Sequence, residues 1–192
     1  MLADIAEKIQ ETFDAKDAAR EEAYRRSREV VRACSAAIWG IHRGEFDEAR
    51  ALIESAARSL DEIKRTLAPH LDIYFGGFVE HAQQEYAEAS IVYSVIRGEN
   101  IPSPEDLGVE YAAYLGGLGD TVGELRRHAL DLIREGHADD AFPFLDVMDE
   151  IYYTLMRFDY PDAITRGLRG KVDAARSLIE RTRGDLVAAA RR

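Results

Sequence analysis

The chain has 192 residues, 46% of them hydrophobic and 32% charged, which suits one soluble domain, residues 1–192, with a real hydrophobic core. Its net charge of −11 argues against general, long-range attraction to nucleic acids or anionic membranes, but leaves room for a local basic surface. With no apolar run near the ~20 residues needed to span a bilayer, no secretory signal and a single cysteine, Cys34, we expect a cytoplasmic protein without membrane contact.

The hydrophobic pattern predicts helix almost throughout, and the five prolines fall mostly where helical patterns start or stop. Residues 98–108 form the one clear loop, in which Ser103 or Pro104 starts a short turn. Long helices joined by short loops favour an antiparallel bundle, whose last helix we expect to loosen at Gly167, Gly170 and Gly184. In chain order, the predicted helices are 3–43, 45–68, 69–97, 109–134, 141–157 and 162 to near the C-terminus.

A first pair of carboxylates, Glu85 and Glu88, lies one turn apart on the third predicted helix. At roughly 100° per residue this pair shares an apolar face with other side chains, namely Phe78, His81, Val92 and Val95. Buried acids need partners. Three explanations remain: a metal site, a pair satisfied by an arginine or by tyrosine hydroxyls, and a wide solvent groove.

A second pair, Asp120 and Glu124, lies on the fourth predicted helix, opposite its apolar stripe. That position is typical of a solvated acidic face. However, Gly116 and Gly117 surround the pair, and each glycine inside a helix costs roughly 1 kcal/mol relative to alanine. Their presence suggests close approach by a backbone or a ligand, so both explanations stay open.

If the two helices pack together, four carboxylates converge on one hard cation. Oxygen ligands without a cysteine or a paired histidine favour Mg²⁺ or Mn²⁺ over zinc or copper. His81, one turn before Glu85, is either an outer partner of such a site or a packed core residue. We expect His128 at the surface, and packing roles for Trp39 and Tyr86 rather than base stacking.

The first helix is the best candidate for contact with nucleic acid. Arg25, Arg28 and Arg32 share one of its faces and are spaced to grip successive phosphates. Arg127, beside the second acidic pair, is placed to neutralise a bound phosphate. The alternative for the three first-helix arginines is an exposed face occupied by salt bridges or by a subunit contact.

At the two acidic segments the sequence resembles the translin/TRAX family. Residues 84–89, QEYAEA, match the family segment that supplies two catalytic acids, and residues 114–125, YLGGLGDTVGEL, match the segment that supplies the other two. The likeness runs from about residue 17 to 187 and is closest to the catalytic TRAX subunit. The basic N-terminal extension and the insertion between the acidic helices of TRAX are missing, which is typical of a compact prokaryotic or archaeal relative.

The resemblance implies an all-α bundle of about six to seven helices that assembles as a hollow homo-octamer. It also implies Mg²⁺-dependent endoribonuclease activity at Glu85, Glu88, Asp120 and Glu124, acting on single-stranded or short duplex RNA, with single-stranded DNA as a further ligand. The main alternative is a non-catalytic scaffold of the same fold that binds single-stranded RNA or DNA. A metal–carboxylate enzyme for small phosphorylated substrates and a purely structural helical oligomer are the remaining alternatives.

Overall fold

The computed structural model describes residues 1–189, which are all-α and contain no strand. This confirms the predicted fold class, although the described residues contain nine α-helices rather than six or seven. The difference arises because three helices of one turn each lie in the connections. The α-helices are α1 Leu2–His42, α2 Phe46–Leu67, α3 Leu71–Tyr74, α4 Gly77–Arg97, α5 Pro104–Leu107, α6 Tyr111–Arg134, α7 Phe142–Leu155, α8 Asp162–Thr165 and α9 Leu168–Ala189, with a 3₁₀ turn Ala138–Ala141 before α7.

One predicted helix is divided in two. Residues 69–97 do not form a single helix, because α3 ends at Tyr74 and α4 begins at Gly77. Between them the amide of Gly76 donates a hydrogen bond to the Ile73 carbonyl oxygen, 2.9 Å away, and the Gly76 backbone is extended (ψ 147°). A Cβ at Gly76 would lie 2.9 Å from that same carbonyl oxygen, so the turn requires glycine.

The last predicted helix is interrupted as well. Arg166 and Gly167 both have left-handed backbones, with φ of 50° and 80°, and they separate α8 from α9. The expected loosening at Gly167 is therefore confirmed, whereas Gly170 and Gly184 lie inside α9. The short turn expected at Ser103 is α5, which begins with a reciprocal capping box between Ser103 and Asp106.

The helix pair α4–α6 lies at the centre of the packing. On one side α1 packs along α2 and α4, and on the other α6 packs along α7 and α9. The buried apolar side chains follow this division, with Val30 and Ile63 in the first half and Leu125 and Met148 in the second. Among residues 1–189, no helix has both the length and the apolar character needed to cross a bilayer.

Candidate functional site

The two acidic helices meet backbone to backbone. A Cβ at Gly117 of α6 would lie 2.6 Å from the carbonyl oxygen of Gln84 and 2.8 Å from the amide nitrogen of Glu88, both on α4. A Cβ at Gly116 would lie 2.5 Å from the Gln84 side-chain oxygen. The glycines therefore mark close approach by a backbone, as the sequence suggested, and this contact brings the two acidic pairs together.

The four acids influence one another electrostatically. Burial, together with the negative charges of Asp120, Glu85 and Glu124, raises the pKa of Glu88 to about 8. Burial likewise raises the pKa of Glu85, whose side chain is 20% exposed. The site thus holds more negative charge than its surroundings compensate, and Glu88 keeps its proton at neutral pH.

The face of α4 that carries Glu85 and Glu88 differs from the prediction near the start of the helix. His81 is 56% exposed, so of its two explanations the packed core residue is wrong, and its Nδ1 lies 3.9 Å from Glu85 Oε1. The opposite face of α4 is buried, since its polar and aromatic side chains face other helices. These buried side chains are Gln83, Tyr86, Ser90 and Ser94, which confirms the packing role expected for Tyr86.

Side chains from other helices bind Asp120 of α6. Lys171 of α9 places its Nζ 2.6 Å and 2.7 Å from the two carboxylate oxygens of Asp120. The side-chain amide of Gln84 donates a further hydrogen bond, of 2.8 Å, to Asp120. The side chains of Asp120 and Glu124 are 30% and 24% exposed, so the solvated acidic face that the sequence left open is wrong.

His42 at the end of α1 holds Glu124. Its Nε2 lies 2.6 Å from Glu124 Oε2, and this hydrogen bond lowers the pKa of Glu124. The other ring nitrogen, Nδ1, is buried and has no hydrogen-bond partner within residues 1–189. The charge on Arg127, 3.7 Å from Glu124 Oε2, adds to the same effect.

Sequence reasoning assigned no role to His42, Gln84 or Lys171. Lys171 had the clearest signal, because it is the only lysine beyond residue 64 in a chain whose other late cations are arginines. Gln84 directly precedes Glu85 within the acidic motif. The contact of His42 with Glu124 spans 82 residues and has no local signature.

The set of possible metal ligands has the chemistry that a hard divalent cation prefers. It consists of carboxylate oxygens whose mutual repulsion such a cation would relieve, and neither Glu85 nor Glu88 accepts a hydrogen bond from a donor in residues 1–189. As arranged in this part of the chain, no three histidine, cysteine, aspartate or glutamate side chains are placed to hold one ion together. Lys171 contacts both carboxylate oxygens of Asp120, so an ion at Asp120 would compete with the lysine ammonium.

The structure separates the arginines that the sequence placed on one face of α1. Arg25 pairs with Glu22 and Glu29, whereas Arg28 and Arg32 are exposed and pair with no carboxylate in residues 1–189. The alternative of an ion-paired face therefore applies to Arg25 alone.

Arg127 has a second contact besides Glu124. Its guanidinium lies over the ring of Trp39, 5.1 Å from the ring centroid. Trp39 is 61% exposed, so its expected packing role is wrong. His128 is half-buried rather than at the surface, and burial lowers the pKa of its imidazole.

Comparison with known proteins shows relatives of similar sequence and similar fold. No family model matches the chain. It is 32% identical over 174 residues to the uncharacterized protein MJ0175 of Methanocaldococcus jannaschii, covering 90% of this chain and 77% of that protein.

Among solved structures, AfC3PO, both alone and in complex with duplex RNA, is 38% identical with a TM-score of 0.90 over 96% of both chains. The apo form of NeC3PO is 22% identical with a TM-score of 0.85 over 96% of both chains, which shows a common fold. The structural likenesses therefore extend over nearly the whole chain. The chain therefore belongs to the translin/TRAX family, as a relative of the C3PO type.

Proposed function

We propose that this protein is a Mg²⁺-dependent endoribonuclease whose catalytic and metal-binding residues are Glu85, Glu88, Asp120 and Glu124. The observation that carries the proposal is the juxtaposition of the four carboxylates on α4 and α6, where burial and the charges of the other three acids raise the pKa of Glu88 to about 8. Strongly perturbed acids in a cluster are typical of functional sites. The similarity to AfC3PO, one structure of which contains duplex RNA, supports RNA as the substrate.

The metal ion and the four acids would have different roles in RNA cleavage. Bound Mg²⁺ would polarise a phosphodiester oxygen and make a water molecule more acidic. Glu85 and Glu88 have no protein donors in residues 1–189 and would hold the ion together with Asp120 and Glu124. Near neutral pH Glu88, with its pKa of about 8, holds a proton in the metal-free chain and would give it up to bind the ion. Its ionised form has the basicity that a general base needs near neutral pH.

For RNA binding we propose Arg28 and Arg32, with Arg127 beside the acids and Arg25 in a lesser role. We further propose a homo-octamer that encloses the site, by analogy with the family. Exposed apolar side chains near the end of α7 and on α8 provide a surface for subunit contact, among them Tyr153, Met156, Tyr160 and Ile164.

The test is cleavage of labelled single-stranded and duplex RNA, with Mg²⁺ and with EDTA. We expect cleavage with Mg²⁺ (or Mn²⁺) and none with EDTA. Asp120→Ala should abolish cleavage while leaving RNA binding and folding intact. Cleavage that survives in this variant, or that persists in EDTA, contradicts the proposal, and light scattering of the same samples tests the octamer.

The arginines give a second prediction. Replacing both Arg28 and Arg32 with glutamine should weaken RNA binding and reduce the slope of log affinity against log salt by about 1–2, because two phosphate contacts are lost. Arg25→Gln is the matched control on the same face, because its charge is already compensated by Glu22 and Glu29. An equal loss of RNA affinity in Arg25→Gln would show that ion pairing along α1 does not distinguish the arginines that bind RNA from those that do not.

A non-catalytic scaffold that binds single-stranded RNA or DNA is the second candidate. The ion pair between Lys171 and Asp120 favours it, because the lysine already supplies a positive charge to the acids. Titration of Mg²⁺ into a labelled RNA complex separates the two. A scaffold binds RNA without cutting it at any Mg²⁺ concentration, and Lys171→Met then leaves it still inactive.

A further inference from the structure

A groove of about 400 Å³ lies between α1 and the start of α4, outside the four-acid site. Its volume falls within the range of about 300–1,000 Å³ typical of small-molecule sites. The lining combines aromatic rings with cations and contains no carboxylate, being formed by Tyr24, Ser27, Arg28, Val31, Arg32, Phe78 and His81.

The aromatic part of the groove is preorganised. The ring of Tyr24 meets that of Phe78 edge to face, with centroids 5.6 Å apart and planes inclined by 74°. Tyr24 is 44% exposed, so part of its ring remains accessible to a ligand while Phe78 supports it. An exposed ring fixed in this way is a platform on which a planar group stacks at low entropic cost.

The cationic part of the groove is uncompensated. Arg28 and Arg32 lie one turn apart on α1 and pair with no carboxylate within the described part of the chain. Glu21 and Glu22 lie on the other side of this arginine pair, but neither of them pairs with Arg28 or Arg32. In a protein with a net charge of −11, an exposed pair of arginines without an ion-pair partner is a local site for an anion. Guanidinium groups bind phosphate oxygens in a bidentate manner.

The groove adjoins the four-acid site at His81. His81 belongs to its lining, and His81 Nδ1 lies 3.9 Å from Glu85 Oε1. A ligand in the groove would therefore lie beside the carboxylates, with its phosphate side directed by the arginines of α1.

We propose that this groove binds one unstacked nucleotide of the RNA, with its base on Tyr24 and its phosphate at Arg28 and Arg32, next to the bond that is cut. The assignment rests on the proposed function. It also implies a preference for unpaired nucleotides, because a base reaches Tyr24 only after leaving its stack.

The experiment measures binding in EDTA, so that cleavage plays no part. One probe is a labelled single-stranded RNA, and the other is an abasic ribose–phosphate oligomer of the same length and charge. Tyr24→Leu should weaken binding of the RNA by about 5- to 100-fold, the contribution of one stacked base, and leave binding of the abasic oligomer unchanged. Tyr24→Phe should bind the RNA as tightly as wild-type protein does. Arg28→Gln should weaken the binding of both probes equally.

The matched control is Tyr111→Leu, because Tyr111 is 68% exposed, lies at the first residue of α6 and does not line the groove. Equal loss on both probes with Tyr24→Leu, or no loss on either, overturns the nucleotide subsite. If wild-type protein still cuts RNA with Mg²⁺ in that case, the proposed function stands without it. If wild-type protein binds no RNA, both proposals fall.

Discussion

Replacing Glu88 with glutamine is expected to reduce RNA cleavage by about 100- to 10,000-fold and, at the same time, to make the protein more stable near pH 8. Both effects have one origin. Glu88 is a buried carboxyl among three others, which raises its pKa to about 8 from an ordinary value of 4.5. Glutamine keeps the size and polarity of the side chain but carries no charge.

The pH dependence follows from the sign of the shift. Below about pH 4.5 Glu88 is protonated in both the folded and the unfolded chain, and its contribution to stability is complete. As the pH rises towards about 8 the unfolded chain loses this proton while the folded chain keeps it, so stability falls. The loss reaches at most about 5 kcal/mol, at roughly 1.4 kcal/mol for each tenfold change in the ionisation constant.

Urea unfolding in EDTA at about pH 5 and about pH 8 measures this difference. Wild-type protein should lose stability between the two conditions, and Glu88→Gln should lose much less. Glu150→Gln is the control, since Glu150 is an exposed glutamate on α7. Identical dependence of stability on pH for wild type and Glu88→Gln would show that Glu88 is not the group whose raised pKa lowers stability at about pH 8.

Replacing Gly117 with alanine is expected to destabilise the protein by about 2 kcal/mol. The new methyl group would lie 2.6 Å from the Gln84 carbonyl oxygen, 2.8 Å from the Glu88 amide nitrogen and 2.9 Å from the Ala87 Cβ. Two of these neighbours are backbone atoms of α4, so the helices must separate. Overpacking of this kind costs typically 1–3 kcal/mol and occasionally more, and the gain in helix propensity returns up to about 1 kcal/mol.

Gly123→Ala is the matched control on the same helix. A Cβ at Gly123 has no neighbour within 4 Å, so alanine there should raise stability by up to about 1 kcal/mol through helix propensity alone. Thermal or urea unfolding should thus move in opposite directions for the two variants. If Gly117→Ala is as stable as Gly123→Ala, the backbone contact between α4 and α6 does not hold the helices at their present distance.

Local patterns in the sequence predicted much of the fold and the core of the candidate site. The spacing of Glu85 and Glu88, and the glycines beside Asp120, were sufficient to suggest two helices in close contact. The unequal ion pairing of the α1 arginines was not readable, because Glu29 lies four residues from Arg25 and three from Arg32, and helical spacing allows either pair.

What the sequence left unassigned depends on tertiary contacts. The partners of Asp120 and Glu124 are Lys171 and His42, which lie 51 and 82 residues away along the chain. Only the packing of α9 and α1 against the central pair brings them to the acids. The break at Gly76 was not predicted, and the break at Arg166–Gly167 was predicted only as a loosening at Gly167, because helical periodicity continues across both.

The ion pair between Lys171 and Asp120 has a consequence for the charge balance of the site. At neutral pH the lysine ammonium and the proton retained by Glu88 together bring two positive charges among the four carboxylates. One Mg²⁺ carries the same charge. Exchange of the ammonium group and the proton for a divalent ion would leave the sum of charges beside the four acids unchanged, so the cluster has the same local compensation with and without the ion.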